Sequence, residues 1–504
     1  SDLLYSDSLS YIRSLFPTNN SFAAMLNIIA LSVIAYFILP REKNNRLSIL
    51  LGIILFIPLF TMFITGGRGA MISLLLGLVF IVVINWKYTD KSSLLKIIII
   101  VTLAFLLSNI QNDNIVVSEL TELSAGISTP SITQRTLSWQ SALQIIKTTP
   151  VIGTGIGTYY IVSPPFKHID DQDPGYFAHN EYIQFWLETG IVGLSLIIMI
   201  IIAIFKLFLC VFRHPDLKIK DRLEITGLMA GLISIALQSF FEFHFHIIAI
   251  LMIMGFMCAR VQELCHVYNP KLLRSYIPAQ KLSRKTFVLA ASIIPIVMLN
   301  YSIPTGIANY YLNKAKKQIA VGQIENGYLT LRLAAKWNPN SIRIKYQQFL
   351  FYRIALSSIS NTALLSEREA LYINALSVLN NIEDINPISG IVHQSRGNLL
   401  IENTDIVPEG WENRAVDEFK KALRLNPRLF KARLALARLL LKQGHLNEAV
   451  LLMNKGVSYQ YPVRARFHDG LDEFYKHAID LNLMNGDTAK AKKIQIEKNL
   501  FPGK

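Results

Sequence analysis

Three side chains that could neutralise an anion or accept a proton occur beside apolar stretches of the chain. Arg68 follows Gly66 and Gly67 and opens RGAMISLLLGLVF, where a helix N-terminus and close backbone approach favour a bulky anion. Arg135 lies in TQRTLSWQSALQII, which has the pattern of an amphipathic helix. His179 in AHNEYIQFW supplies an imidazole, a type of group that can accept a proton near neutral pH because its reference pKa is ~6.5.

Each of these residues also has an ordinary structural interpretation. Arginine at a membrane interface often extends its charged end to water, and arginine on an amphipathic helix is more often solvated than functional. Asn180 as an N-cap and Glu181 in the first turn explain the start of a helix, but they leave His179 unexplained. Taken one segment at a time, both interpretations stay open.

A second titratable cluster, FEFHFH, contains Glu242, His244 and His246. Spacings of two and four residues on a helix spread these ligands over different faces, so only Glu242 and His246 share a face. A zinc site is therefore disfavoured, and the cluster is predicted to line an external vestibule between two spans.

The segment PVIGTGIGTYY is rich in glycine but does not match a phosphate-binding loop. Its glycines do not follow the G-x-G-x-x-G pattern, and no lysine follows as in a P-loop. We predict a tight turn in which backbone segments approach closely, formed by Gly153, Gly155 and Gly157.

These residues are positioned by a chain that is 52% hydrophobic and only 17% charged, as in a polytopic membrane protein. A membrane-spanning helix needs ~20 mainly apolar residues. About eight such runs occur, near 21–39, 48–64, 70–86, 95–110, 183–209, 223–241, 247–264 and 286–303. The predicted fold is all-α, with a polytopic helical membrane domain at 1–303 and a soluble helical domain at 304–504.

The net charge of +15 does not indicate nucleic-acid binding, because the basic residues of the membrane half cluster in alternate loops. The positive-inside rule makes the basic loops cytoplasmic. It places residues 1–20, the 65–69 turn, the long 111–182 loop and the C-terminal domain on the outer side.

The C-terminal domain contains a helical repeat. Ala415 and Ala449 are separated by 34 residues, the tetratricopeptide period, and Asn426-Pro427 and Gly444 mark the intervening turns. Stacked repeats form concave surfaces that bind peptides or partner domains, so a protein partner is one possibility and a scaffold or dimerisation role is the other.

The order of these motifs resembles the O-antigen ligase superfamily. The resemblance covers about residues 10–265 and rests on the LFPTNNSFAAML entry to a span, the Arg-Gly turn, Gln134-Arg135 with Trp139, the Pro150 glycine turn, Ala178-His179-Asn180 and LETGIVGL. Members usually have about a dozen spans, so N-terminal spans are expected to be missing from this sequence.

The resemblance implies a glycosyltransferase that takes a glycan from a polyprenyl diphosphate carrier on the outer face of the bacterial inner membrane. Arg68 and Arg135 would bind the leaving diphosphate through bidentate donors, and His179 would act as general base or orient the acceptor. The implied reaction inverts the anomeric centre and needs neither a metal nor another cofactor. Arg68, Arg135 and His179 are therefore predicted to converge on one cavity.

The acceptor remains open between a glycolipid such as lipid A core, a growing glycan and a protein hydroxyl. The corresponding activities are O-antigen ligase, O-antigen or exopolysaccharide polymerase, and protein O-oligosaccharyltransferase. A transporter or an envelope scaffold is the alternative outside the enzymes. Transporters often carry charged residues within spans, whereas the mid-span regions here are nearly uncharged.

Overall fold

The structure is a computed structural model that describes residues 16, 18–38, 45–111, 130–173, 175–270, 284–358, 365–461 and 469–499. Throughout these residues the regular structure is helical, which confirms the predicted all-α fold. The chain forms two compact units. Unit 1 is Ser1–Tyr160 with Gly175–Gln280, and unit 2 is Ile161–Pro174 with Lys281–Lys504.

Unit 1 contains helices at the first seven predicted spans and one in the long loop. They are α1 Asn19–Phe37, α2 Asn45–Ile64, α3 Arg68–Ile84, α4 Lys91–Gln111, α5 Pro130–Ile146, α6 Glu181–Phe212, α7 Ile219–Gln238 and α8 Ile248–Tyr268. Among the described residues, four helices are long and apolar enough to cross a membrane: Asn19–Phe37, Lys91–Ile110, Glu181–Phe212 and Ile248–Tyr268. Ile49–Ile64 and Arg68–Ile84 are shorter apolar helices.

Helix α1 lies at the centre of unit 1 and packs against α2, α3 and α7. Asn27, which is fully buried in α1, donates to the carbonyl of Ala70 at 2.7 Å and to Ser73 Oγ at 3.0 Å. Small residues allow the close approach, since a Cβ on Gly77 of α3 would lie 2.6 Å from a methyl carbon of Leu31. Hydrogen bonds and small-residue contacts of this kind hold helices together where lipid removes the hydrophobic drive.

The glycine-rich turn packs against a kink in α6. Gly190 interrupts α6 with φ 67° and ψ −173°. The turn pairs with the kink through its backbone, with Gly155 N donating to the carbonyl of Glu188 at 2.9 Å and Ile191 N donating to that of Pro150 at 3.0 Å. Gly153, Gly155 and Gly157 all have positive φ, as the predicted tight turn requires.

Unit 2 consists of consecutive helices that pack as antiparallel neighbours. They are α9 Arg284–Ala320, α10 Ile324–Trp337, α11 Ile342–Ser358, α12 Leu365–Ile385, α13 Gly390–Glu402, α14 Trp411–Leu425, α15 Phe430–Lys442, α16 Leu446–Val457, α17 Asp469–Met484 and α18 Thr488–Asn499. Ala415 and Ala449, the two alanines of the predicted period, are both fully buried. Their burial is what a helical repeat requires of its small packing positions.

Residue 303, where the sequence predicts the membrane domain to end, lies inside α9. The eighth apolar run and the polar residues after it form one continuous helix, α9, which passes through Pro304 and belongs to unit 2. The end of an apolar run marks a change of solvent preference, and a helix does not have to end there. Unit 2 also includes 161–174 from within the long loop, which the sequence pattern did not indicate.

The turn–kink contact makes a specific prediction for two glycines with nearly equal φ, 78° at Gly153 and 73° at Gly157. A Cβ on Gly153 would lie 2.5 Å from the carbonyl carbon of Glu188, whereas one on Gly157 would meet nothing within 4 Å. We expect Gly157→Ala to cost about 1–2 kcal/mol through backbone strain alone. Gly153→Ala should lower the Tm in detergent considerably further, and equal Tm losses would contradict the close approach.

Candidate functional site

Arg135 on α5 is held by a buried carboxylate from another part of unit 1. Its Nη2 donates to Glu242 Oε1 at 2.6 Å, and the side chains of the pair are 24% and 9% exposed. Asn20 Nδ2 donates to the same oxygen at 2.5 Å. One carboxylate oxygen therefore joins the first turn of α1, helix α5 and the turn after α7.

Arg68 begins α3 next to this group. Its neighbour Gly67 is the N-cap residue, and a Cβ there would lie 3.2 Å from Asn20 Oδ1. Asn19 Nδ2 donates to the carbonyl of Thr65 at 2.8 Å, so the turn before α3 is attached to the start of α1. Arg68, which is half-buried, is the first residue of α3 and directly follows Gly67. Gly67 packs on Asn20, and Asn20 is hydrogen-bonded to Glu242.

His179 lies immediately before α6 in a backbone conformation that is rare for a side chain other than glycine. Its φ of 52° is the single positive value among the described non-glycine residues. Trp139 Nε1 donates to its carbonyl at 3.3 Å. Trp139 follows Arg135 by four positions on α5, so one face of this helix serves both predicted site residues.

The start of α6 anchors His179 from the other side. Asn180 is the N-cap and accepts from Ile183 N at 3.0 Å, as predicted, while Glu181 N donates to the carbonyl of Ser239 at 2.9 Å. The imidazole of His179 has its centre 5.7 Å from the ring of Phe243, next to Glu242. The structure thereby brings His179, Arg135 and Glu242 into one neighbourhood of unit 1.

A buried polar chain lies behind His179. Gln184 Oε1 accepts from Ala178 N at 3.0 Å, and Gln184 Nε2 donates to Glu188 Oε1 at 3.1 Å. Glu188 Oε2 accepts from Gly157 N at 2.7 Å, which connects the glycine turn to the same chain. These bonds fix the residue before His179 through two side chains of α6.

His246 completes the polar chain through Glu181. The distance from His246 Nδ1 to Glu181 Oε2 is 3.2 Å, and His246 Nε2 lies 3.3 Å from Gln184 Nε2. Burial lowers the pKa of His246, but the hydrogen bond with Glu181 and the charges of Glu181 and Glu188 outweigh burial and raise it overall. A protonated His246 would form an ion pair with Glu181 next to the start of α6.

The FEFHFH segment differs from the helical arrangement considered for it, since His244–His246 is a single 3-10 turn between α7 and α8. Glu242 bonds to Arg135 and Asn20, His246 pairs with Glu181, and His244 is fully buried. Burial lowers the pKa of His244 to about 4. Within the described parts of the chain, His, Cys, Asp and Glu residues form no group of three or more that could hold a metal ion.

Sequence reasoning did not identify Asn20, Gln184 or Glu188 as parts of this neighbourhood. A usable signal existed for Glu188 because a carboxylate close to a long apolar run is costly unless it is bonded. For Asn20 there was only the Asn-Asn pair before an apolar run. Its partner is 222 residues away, and helix periodicity carries no information about such a contact.

Fold and site together define a helical membrane protein with a cluster of arginine, glutamate and histidine side chains at helix ends. The expected resemblance to the O-antigen ligase superfamily is confirmed, because residues 53–198 match the family model described as O-Antigen ligase. That range includes Arg68, Arg135 and His179.

The chain is also similar to the exopolysaccharide production protein ExoQ of Rhizobium meliloti (strain 1021), with 28% identity over 98 residues. The similarity covers 17% of this chain and 22% of ExoQ, so the chain spans about a fifth of the length of this relative.

Solved structures that are similar to a part of the chain include those of MamA and YrrB. A crystal structure of MamA protein has 16% identity and a TM-score of 0.27, over 38% of this chain and 90% of that chain. YrrB, described as a TPR protein with an unusual peptide-binding site, has 15% identity and a TM-score of 0.24, over 36% of this chain and 80% of its own.

The His246–Glu181 pair predicts a pH-dependent contribution to stability. Because the folded pKa of His246 is raised, the stabilisation is fully present below the ordinary pKa of 6.5 and is lost as pH rises through the raised value. We expect His246→Gln to cost on the order of 1–3 kcal/mol at pH 5.5 and progressively less toward pH 8.5, measured as Tm in detergent. His266→Gln, which changes an exposed histidine, should show no such trend, and a pH-independent loss for His246→Gln would contradict the ion pair.

Proposed function

We propose that the protein transfers a glycan from a polyprenyl diphosphate carrier to an acceptor hydroxyl at the outer face of the bacterial inner membrane. The observation that carries the proposal is the neighbourhood of Arg135, Glu242 and His179 in unit 1. Arg135 and His179 lie within residues 53–198, the range that matches the O-antigen ligase family. It combines a permanent cation with a titratable base where a lipid-linked anion would arrive.

Arg135 is suited to the diphosphate because its Nη2 donates to Glu242 at 2.6 Å while the planar guanidinium carries five N–H donors in all. The partial exposure of its side chain leaves the group accessible. Arg68 adds a second cation at the N-terminus of α3, where the helix dipole also favours an anion. We assign both arginines to the diphosphate, whose negative charge grows as the glycan leaves.

His179 is assigned as the general base for the acceptor hydroxyl. The acceptor oxygen forms a bond to the anomeric carbon while the bond from that carbon to the diphosphate oxygen breaks. The hydroxyl proton passes to the imidazole, and the electron pair of the broken bond leaves with the diphosphate. Attack opposite the leaving group inverts the anomeric centre, and the arginines neutralise the product without a metal ion or another cofactor in this proposal.

The acceptor distinguishes two candidates within this reaction. A ligase moves the finished glycan to a glycolipid or to a protein hydroxyl, whereas a polymerase extends another lipid-linked glycan. The name of the similar ExoQ refers to exopolysaccharide production, which favours the polymerase as the second candidate. In a purified system containing the lipid-linked donor, mass spectrometry separates them, because only a polymerase lengthens the donor glycan when no other acceptor is present.

Arg135→Lys tests the role of the guanidinium. An ammonium keeps the charge but cannot offer two parallel donors to a diphosphate, so we expect turnover to fall by about tenfold to hundredfold. The measurement is glycan transfer from the lipid-linked donor in detergent. Arg213→Lys, an equal change at an exposed arginine after α6, is the control and should retain full activity. Wild-type rates for Arg135→Lys would remove Arg135 from the diphosphate site.

Substitution of His179 must respect its positive φ of 52°. His179→Gly accepts this backbone conformation without strain, and asparagine tolerates it better than most residues, while neither supplies a base with a pKa near neutrality. Both variants should fold with a Tm near that of the wild type, bind the donor and lose about 10²–10⁴-fold in turnover. Retention of activity by either variant would show that the imidazole does not act as the base.

A further inference from the structure

Residues 161–173 lie inside the long loop of the membrane half, yet they belong to unit 2. The chain leaves unit 1 at Tyr160 and returns to it at Gly175, four residues before His179. The short helical turn Pro164–Phe166 packs on α14, the first helix of the repeat that contains Ala415 and Ala449. The repeats thus already hold a peptide, and that peptide is part of the same chain.

Arg428 provides the main polar contact to this loop segment. Its Nη2 donates to the carbonyl of His168 and, at 3.2 Å, to that of Ile169. Gln460 N donates to the carbonyl of Ile169 at 2.7 Å, and Arg428 Nε donates to the carbonyl of Gln460 at 3.3 Å. Two turns of the repeat array therefore close around the backbone of 168–169.

The loop segment has internal order that presents these carbonyls. Lys167 Nζ lies 3.3 Å from Asp171 Oδ2, with the two side chains 6% and 0% exposed, and it also donates to the carbonyl of Asp173. Burial lowers the pKa of Lys167, against the raising effect of Asp171 and Asp173. A buried lysine of this kind is retained only if the surrounding fold holds its partners in place.

The repeats also hold the turn that contains Arg428 in place. It lies in the Asn426-Pro427 turn between α14 and α15, where Asn426 Oδ1 accepts from its backbone N–H at 3.1 Å. Arg433, which is 2% exposed, donates to the carbonyls of Pro427 at 2.7 Å and Leu452 at 2.9 Å. The proline turn that indicated a helical repeat is thus the element that presents Arg428.

We infer that Arg428 is a positioning residue. By binding the backbone of 168–169, the repeats restrain the loop that ends at His179. This restraint reduces the entropic cost of placing the imidazole of His179. The functional consequence rests on the proposed role of His179. The positive φ of His179 has to be imposed by its surroundings, and a restrained preceding segment lowers the conformational cost of that state. This assigns the Arg428 surface to a segment of the chain itself and leaves other surfaces of the repeats for a partner.

The test compares Arg428→Ala and Arg428→Lys with Arg424→Ala in the full-length chain in detergent. Arg424 is an exposed arginine near the end of α14 and serves as the matched control. Hydrogen–deuterium exchange is followed at Asp171 N and Gln460 N, which donate to the carbonyls of His168 and Ile169, and across 175–180. Amides within α15 report whether the repeat itself stays folded.

We expect Arg428→Ala to speed exchange at these amides and across 175–180 by about tenfold or more while α15 stays protected. Turnover should fall several-fold with the donor KM unchanged, Arg428→Lys should lie between, and Arg424→Ala should match the wild type. Unchanged exchange across 175–180 would overturn the inference, as would faster exchange there with full turnover. If the wild type transfers no glycan, the proposed function fails, and the exchange data alone then decide whether the repeats restrain the loop.

Discussion

The carboxylate of Glu242 accepts hydrogen bonds from two side chains that are 107 and 222 positions away in the chain. A charge this deeply buried at the end of apolar helices is tolerated only when it is paired and bonded. Glu242 meets that requirement only if the first turn of α1, helix α5 and the turn after α7 all reach the same point. This constraint places Arg135, and the Asn20 contact extends it to Gly67 and hence to the start of α3 at Arg68.

The position of His179 depends on a second set of contacts with a different physical basis. A histidine with positive φ costs free energy, and the neighbouring bonds must offset that cost. Trp139 binds the carbonyl of His179, Gln184 binds the backbone of Ala178, and the backbone N–H of Glu181 donates to Ser239. Because the bonds lie on both sides of His179, a shift of α5 or of α6 would move the imidazole.

The helices, the N-cap and the glycine turn could be predicted from sequence because their signals are local. Apolar runs, the N-cap at Asn180 and the glycines of the 153–157 turn each depend on near neighbours in the chain, and the structure has helices or turns at these places. The Glu242–Arg135 pair and the attachment of 161–173 to the repeats depend on contacts between distant parts of the sequence. Periodicity carries no information about such contacts, which is why 161–173 was not predicted to belong with the repeats and Asn20 was not singled out.

The Arg135–Glu242 pair also bears on how Arg135 is kept ready for the diphosphate of the proposed reaction inside a partly apolar site. Burying an unpaired guanidinium there would be unfavourable because the group loses its hydration. Pairing with Glu242 offsets part of that desolvation penalty in the substrate-free protein. A single carboxylate oxygen engages Nη2 and also accepts from Asn20, which orients the group without using all of its donors. A diphosphate carries more negative charge than one carboxylate and can meet the remaining donors in the bidentate manner that arginine favours. In the proposed reaction Glu242 therefore acts as a counter-ion that holds Arg135 in the orientation the substrate needs, and the attraction for the anion increases as the leaving group gains charge.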